Sequence, residues 1–292
     1  MSQAKPNVLL LTRNFPPLQG GMERLNHHIY IELCEEYDVT VVGPAGAGQF
    51  CREGDQVYTS PALPLWRFLL GSAWQTLRAC RSRKKPKLIV AGSGIAALPA
   101  FIAGKLTKIP VMTYLHGLDI VAPHPIYQWI FLPAIRQSRV LLVNSRNTRQ
   151  LAIDAGIPEQ KIRLLHPGTC LPNLEGLHGG RVFRESICAG NRPILLSVGR
   201  LTARKGLVEF IEHCMPQICR LIPDVLLVII GGDPSFSVDK ALKQSKSLIQ
   251  QRISDLGLER NIMMLGNISD DLLTQAYAAS QLHVFPDRKS VV

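Results

Sequence analysis

Short, almost wholly apolar runs alternate along the chain with longer stretches in which apolar residues recur every three or four positions. The first pattern predicts buried β-strands and the second amphipathic helices. In the first half the predicted strands are Asn7–Thr12, Asp38–Gly43, Leu88–Ala91, Val111–Leu115, Val140–Val143 and Ile162–Leu165. Between them fall the predicted helices Gly21–Glu36, Leu65–Arg83, Ile95–Lys108, Ile126–Arg136 and Arg146–Ala155, the first with Met22, Leu25, Ile29 and Leu33 on one face. From Pro167 to Arg192 the periodicity is lost among Gly, Pro and Asn, which predicts a linker. A second series follows: strands Pro193–Val198, Val225–Ile230, Asn261–Leu265 and Leu282–Phe285, with helices Lys205–Leu221, Asp239–Leu256 and Ser269–Ala279.

Strands that are apolar on both faces and separated by helices imply parallel sheets covered on each side. The expected fold is therefore α/β, two Rossmann-like doubly wound domains, with ligands beyond the carboxyl ends of the strands. The divisions read from the pattern are 1–178, an N-terminal domain with its linker, and 179–292, a C-terminal domain. The second series stops short of the usual five or six strands. It therefore reads as an incomplete domain, truncated at the C-terminus.

Composition narrows the partners. The 292 residues are 46% hydrophobic and 19% charged, which excludes a disordered chain. The net charge of +11, +8 of it in residues 1–178, suits anionic partners. Seven cysteines with no C-x-x-C pair read as free thiols in a reducing compartment. No signal-peptide pattern opens the chain, and the uncharged stretch Leu88–Gly104 is interrupted by Gly92, Gly94 and Pro99, so a strand and a helix explain it better than a membrane span. The expected location is cytoplasmic.

Candidate chemistry sits at the strand ends. Gly20-Gly21 opens the first helix, where free N–H groups and the positive dipole end accept a phosphate; a tight turn is the alternative reading. Gly199-Arg200 and Lys205-Gly206 follow the first strand of the second series, and the two cations are placed to converge on one diphosphate, Arg by its planar fork and Lys as a point charge. The alternative is solvated surface charge. His116, in YLHGLD, ends an interior strand; Asp119 either shares that site or caps the next segment. The dinucleotide fingerprint, the P-loop, G-x-S-x-G, D-x-D and recognised metal spacings are all absent from the sequence. Trp66 to Lys87 joins apolar residues to a run of cations, which fits either a helix on an anionic membrane or a core helix with cations at its C-terminal end.

Together NFPPLQGGMERL, YLHGLDI, LLVNSRNTRQLAIDAGIPEQKIRLLHPGTCLP, LLSVGRLTARKGLVEFI, LLVIIGGDP and LGNISDDLLTQAYAASQLHVFP resemble the retaining glycosyltransferases of family 4, of GT-B fold. The resemblance implies two facing domains, a nucleotide-diphosphate sugar held mainly by the C-terminal one, and a glycan or lipid-linked acceptor held mainly by the N-terminal one. It implies that Arg200 and Lys205 hold the donor diphosphate, with Gly199 in the same loop. It implies further that Gly20 and Gly21 approach the diphosphate, that His116 lies near the transferred sugar, and that Gly231 and Gly232 face the nucleotide. Transfer would retain the anomeric configuration and need no metal or cofactor. The family's E-x7-E pair has no counterpart in HVFPDRKSVV, so an inactive truncated fragment of such an enzyme is the second expectation. Nucleic-acid binding is not expected, for lack of a recognition helix or aromatic platform. Contact with anionic lipid through Trp66–Lys87, at the inner face of the membrane, is expected as a separate property.

Overall fold

A computed structural model describes residues 5–121, 124–125, 127–168, 179–232 and 245–287. The chain divides into two compact units, Met1–Thr169 and Cys170–Val292.

In the first unit the strands are β1 (Asn7–Leu11), β2 (Asp38–Gly43), β3 (Gln56–Thr59), β4 (Leu88–Ala91), β5 (Val111–Leu115), β6 (Val140–Val143) and β7 (Ile162–Leu164). The helices are α1 (Gly21–Glu36), α2 (Leu65–Cys80), α3 (Gly94–Thr107), α4 (Leu118–Val121), α5 (Leu132–Arg136) and α6 (Arg146–Asp154). All seven strands pair in parallel in the order β3-β2-β1-β4-β5-β6-β7. The chain winds outward from β1 in one direction and then from β4 in the other, so the switch point lies between them. Strand alternation sends β1 to two cores. Leu9 and Leu11 pack with Ile89, Ala91 and, from α3, Ala96, Ala100 and Ala103, while Val8 and Leu10 pack with Val41, Phe15 and Tyr30. Both sets are almost fully buried, as a parallel sheet requires.

Three expectations for this unit need correction. β3 was not predicted; it is a half-exposed edge strand, so its four residues carry no continuous apolar run. The segment expected as a helix over Ile126–Arg136 is, in its described part, a π-type turn at Tyr127–Phe131 followed by α5, and Pro133 lacks the N–H that a continuous ladder needs. α2 stops at Cys80 instead of Arg83. Its two faces are unlike: Phe68, Ser72, Thr76, Ala79 and Cys80 are buried, whereas Trp66, Leu70 and Trp74 stand 58%, 67% and 67% exposed.

The second unit contains β8 (Ile194–Val198), β9 (Leu226–Ile230), β10 (Ile262–Gly266) and β11 (Leu282–His283), parallel in the order β10-β9-β8-β11. Its helices are α7 (Gly180–Ser186), α8 (Leu207–His213), α9 (Met215–Leu221), α10 (Ser245–Asp255) and α11 (Asp270–Ala279). Here the switch point lies between β8 and β11. α7 occupies part of the stretch expected as linker, whose residues 169–178 lie outside the described ones. Gly180 and Phe183 are its buried residues, Phe183 in a core with Ala276 and Ala279, and one large apolar side chain leaves no periodic signal. The helix expected from Lys205 to Leu221 is broken. Ala203–Lys205 forms a 3-10 turn, Gly206 turns left-handed with φ 67°, and α8 and α9 meet at Cys214, where Pro216 removes a ladder donor. Lys205 therefore precedes the helix and does not open it. Of Asp239–Leu256, residues 239–244 are outside the described ones, and the remainder forms α10. The last strand is shorter than Leu282–Phe285, although Val284 N–H still donates to Leu196 O at 2.7 Å.

Candidate functional site

In the first unit the loops beyond β1, β4 and β5 converge on the carboxyl edge at the switch point. The loop after β1 is closed on itself. Asn14 Nδ2 donates to Glu23 Oε1 at 2.7 Å, which ties the loop's start to the first turn of α1, and Glu23 is buried. Burial lowers the Arg13 guanidinium from its ordinary range, an effect the Glu23 charge opposes. Arg24 N–H reaches Gly20 O at 3.0 Å, so Gly20 caps the helix. A Cβ at Gly21 would meet no atom within 4 Å. The glycine therefore leaves open surface at a helix start and relieves no clash.

His116 leaves the end of β5. Its ring nitrogen Nε2 lies 3.1 Å from Gly92 O, directly after β4. A carbonyl only accepts, so Nε2 carries the proton. The ring lies 5.0 Å from that of Tyr114, and the His116 backbone N–H donates to Asp119 Oδ2 at 3.0 Å. The Asp119 carboxylate thus bonds back to the turn that carries His116, not forward to the segment it was expected to cap.

In the second unit the loops after β8, β9 and β11 meet. Gly199 N–H donates to Ile230 O (2.9 Å), Leu201 N–H to Gly232 O (3.1 Å) and Gly231 N–H to Gly266 O (2.8 Å). This lattice brings backbone against backbone: a Cβ at Gly231, where φ is 133°, would lie 2.0 Å from Gly199 O. A small cavity of about 20 Å³ is lined by Gly199, Arg200, Leu201, Lys205, Phe285 and Pro286 among others. Lys205 is not solvated surface charge. Its Nζ lies 2.7 Å from Asp287 Oδ2 and 4.2 Å from the centre of the Phe285 ring. The Lys205 side chain is 24% exposed and that of Asp287 only 2%. Arg200, by contrast, is exposed.

The structure therefore gathers Gly199, Arg200 and Lys205 at one strand edge of the second unit, with Gly231 and Gly232 on the neighbouring strand end. In the first unit Gly20 and Gly21 follow β1 and His116 follows β5, all beyond the carboxyl edge of the sheet. Sequence reasoning missed Asp287 and Phe285. They follow β11, and its pairing with β8 carries Asp287 to a lysine 82 positions earlier, with Phe285 beside it.

The model of Glycosyltransferase Family 4 matches residues 19–171, and that of Glycosyl transferases group 1 matches residues 181–289. A GDP-mannose-dependent alpha-(1-6)-phosphatidylinositol monomannoside mannosyltransferase of Mycolicibacterium smegmatis is 25% identical over 300 residues, covering 96% of this chain and 72% of its own. The alpha-D-kanosaminyltransferase of Streptomyces kanamyceticus is 24% identical over 68% of this chain and 52% of its own. Among solved structures, Anabaena HepE in complex with UDP-glucose superposes with a TM-score of 0.75 at 18% identity, over 96% of this chain and 73% of its own. That likeness concerns the fold.

Proposed function

The chain belongs to glycosyltransferase family 4, with the α/β architecture of the GT-B type, and is a glycosyltransferase that uses nucleotide sugars; from that premise we propose that it moves a sugar with retention, without a metal, onto a glycan or lipid-linked acceptor. The observation that carries the reading is the placement of Gly199, Arg200 and Lys205 around one cavity at the carboxyl edge of β8. Arg200 offers a planar fork and Lys205 a point charge to the donor diphosphate. Lys205 has three donors; one faces Asp287 and the Phe285 ring covers another side of the ammonium, which leaves its exposed side for a phosphate oxygen. Cations fixed before the reaction stabilise the diphosphate as it departs, and this term is usually the largest in such a site. Gly231 and Gly232 are assigned to the nucleotide. In the first unit Gly20 and Gly21 are assigned to donor phosphate and His116 to the transferred sugar. The mycobacterial relative, a phosphatidylinositol monomannoside mannosyltransferase, supports a lipid-linked acceptor.

The test is transfer from UDP-glucose or GDP-mannose to a glycolipid acceptor, with the product's anomeric configuration read by proton NMR. The expected product keeps the α configuration of the donor, at a rate unchanged by EDTA. An inverted product, or turnover lost in EDTA and restored by a divalent cation, contradicts the mechanism.

Membrane contact is a second part of the proposal. Among the described residues no helix is long and apolar enough to cross a membrane. Trp66, Leu70 and Trp74 recur every four residues on the exposed face of α2, while its opposite face already fills the core. Arg67, Arg78, Arg81, Arg83, Lys84 and Lys85 accompany them. An apolar stripe beside cations suits the interface of an anionic bilayer. Six free cysteines among the described residues agree with the cytoplasmic face. Co-sedimentation with phosphatidylglycerol vesicles is expected to weaken tenfold or more when Arg83, Lys84 and Lys85 are neutralised, since each cation contributes roughly 1 kcal/mol at such a surface. Binding that survives both this change and Trp66→Ala/Trp74→Ala contradicts the assignment.

A further inference from the structure

The carbonyl of Gly92 is a meeting point. His116 Nε2 lies 3.1 Å from it, and Asn26 Nδ2, from the middle of α1, lies 3.3 Å from it. Asn26 is fully buried and gives its other amide hydrogen to Met22 O at 3.0 Å. Both partners are carbonyls, so the amide has only one workable orientation; turned over, its oxygen would face two acceptors. In that orientation Oδ1 is buried with no hydrogen-bond partner. It fills the place a side chain at position 92 would take, where a Cβ would lie 2.0 Å away. Packing alone does not call for an amide here. An aliphatic side chain would fill the space without burying an unmatched oxygen. What only the amide supplies is a donor that holds the Gly92 carbonyl in place between α1 and β5.

We propose that Asn26 is a positioning residue for His116: through the Gly92 carbonyl it fixes the ring with its proton on Nε2, so that Nδ1 is the face presented to substrate. The inference rests on the assignment of His116 to the transfer step. A neutral ring held this way has only a lone pair at Nδ1. Its partner on the sugar must then be a hydroxyl that donates, and a ring free to exchange tautomers would spend part of its time with a donor facing that hydroxyl.

The experiment uses the full chain labelled with ¹⁵N-histidine, with the His116 ring signals assigned by their loss in His116→Gln. At a pH where the ring is neutral, wild type is expected to show a protonated Nε2 and an unprotonated Nδ1. In Asn26→Ala the two nitrogen signals are expected to move toward each other as tautomers mix. Turnover of the donor is expected to fall about tenfold, with its KM within twofold of wild type. A proton on Nδ1 in the wild-type protein overturns the proposal whatever the variants do. An Asn26→Ala protein that keeps both the wild-type tautomer and the wild-type kcat overturns it as well, and leaves the His116 assignment standing. Wild-type turnover in His116→Ala removes that assignment, and the proposal with it.

Discussion

Gly231→Ala is expected to destabilise the second unit severely, by roughly 3–5 kcal/mol, with its thermal midpoint lowered by more than about 10 °C. Two causes add. An L-residue does not readily adopt φ 133°, and its Cβ would stand 2.0 Å from Gly199 O. The oxygen it strikes cannot step aside cheaply. Gly199 is tied to Ile230 O through its own N–H, and Leu201, two residues on, is tied to Gly232 O. Gly21→Ala provides the contrast. No atom lies within 4 Å of the added methyl, and the position opens a helix, so stability is expected to stay within about 0.5 kcal/mol of wild type. Donor turnover should nevertheless fall if Gly21 leaves room for a phosphate. Calorimetric melting of the two variants checks the pair. Equal midpoints would show that the backbone contact at Gly231 is relaxed in solution.

The two cations of the second unit are expected to separate in their effects. Lys205→Ala removes the ammonium facing Asp287, a carboxylate that is 2% exposed. Breaking a largely buried ion pair costs up to about 3–5 kcal/mol, and the lysine's exposure together with the further interaction Asp287 makes places this pair at the lower end. Asp287→Ala should cost less, because Lys205 keeps 24% exposure and contact with the Phe285 ring at 4.2 Å. Arg200 is exposed, and the interaction it makes is one at the surface, so Arg200→Ala should change stability by less than about 1 kcal/mol. Urea unfolding of the three variants gives the order directly: Lys205→Ala lowest, then Asp287→Ala, then Arg200→Ala near wild type. A Lys205→Ala protein as stable as wild type would mean that the buried pair does not persist in solution.

Much of the fold is legible because strands buried on both faces must be apolar throughout. The bounds predicted for β2, β4, β5 and β6 coincide with those observed. β3 escaped because an edge strand with one wet face needs no such run, and α7 because Phe183 is its one large buried side chain, beside Gly180. The break at Cys214 was marked by Pro216, but continuous apolar spacing on either side concealed it. At the candidate site, glycines and cations stand out locally as short motifs. Their supports do not. Asn26 meets Gly92 across 66 residues and Asp287 meets Lys205 across 82, and both contacts are made by the order in which strands assemble, which no local spacing records. The stripe on α2 lies between these cases. Its composition was evident, yet the choice between core and surface depended on which face Phe68 took.

The reading of the second unit depends on Arg200 binding the donor, and because this residue is exposed its removal does not confound binding with folding. Titration calorimetry of UDP-glucose and GDP-mannose into wild type and Arg200→Ala measures that directly. The account predicts that whichever donor binds wild type binds the variant about 10- to 100-fold more weakly, the loss expected for hydrogen bonds to a charged group of about 1.5–3 kcal/mol. Equal affinity in the two proteins would contradict it.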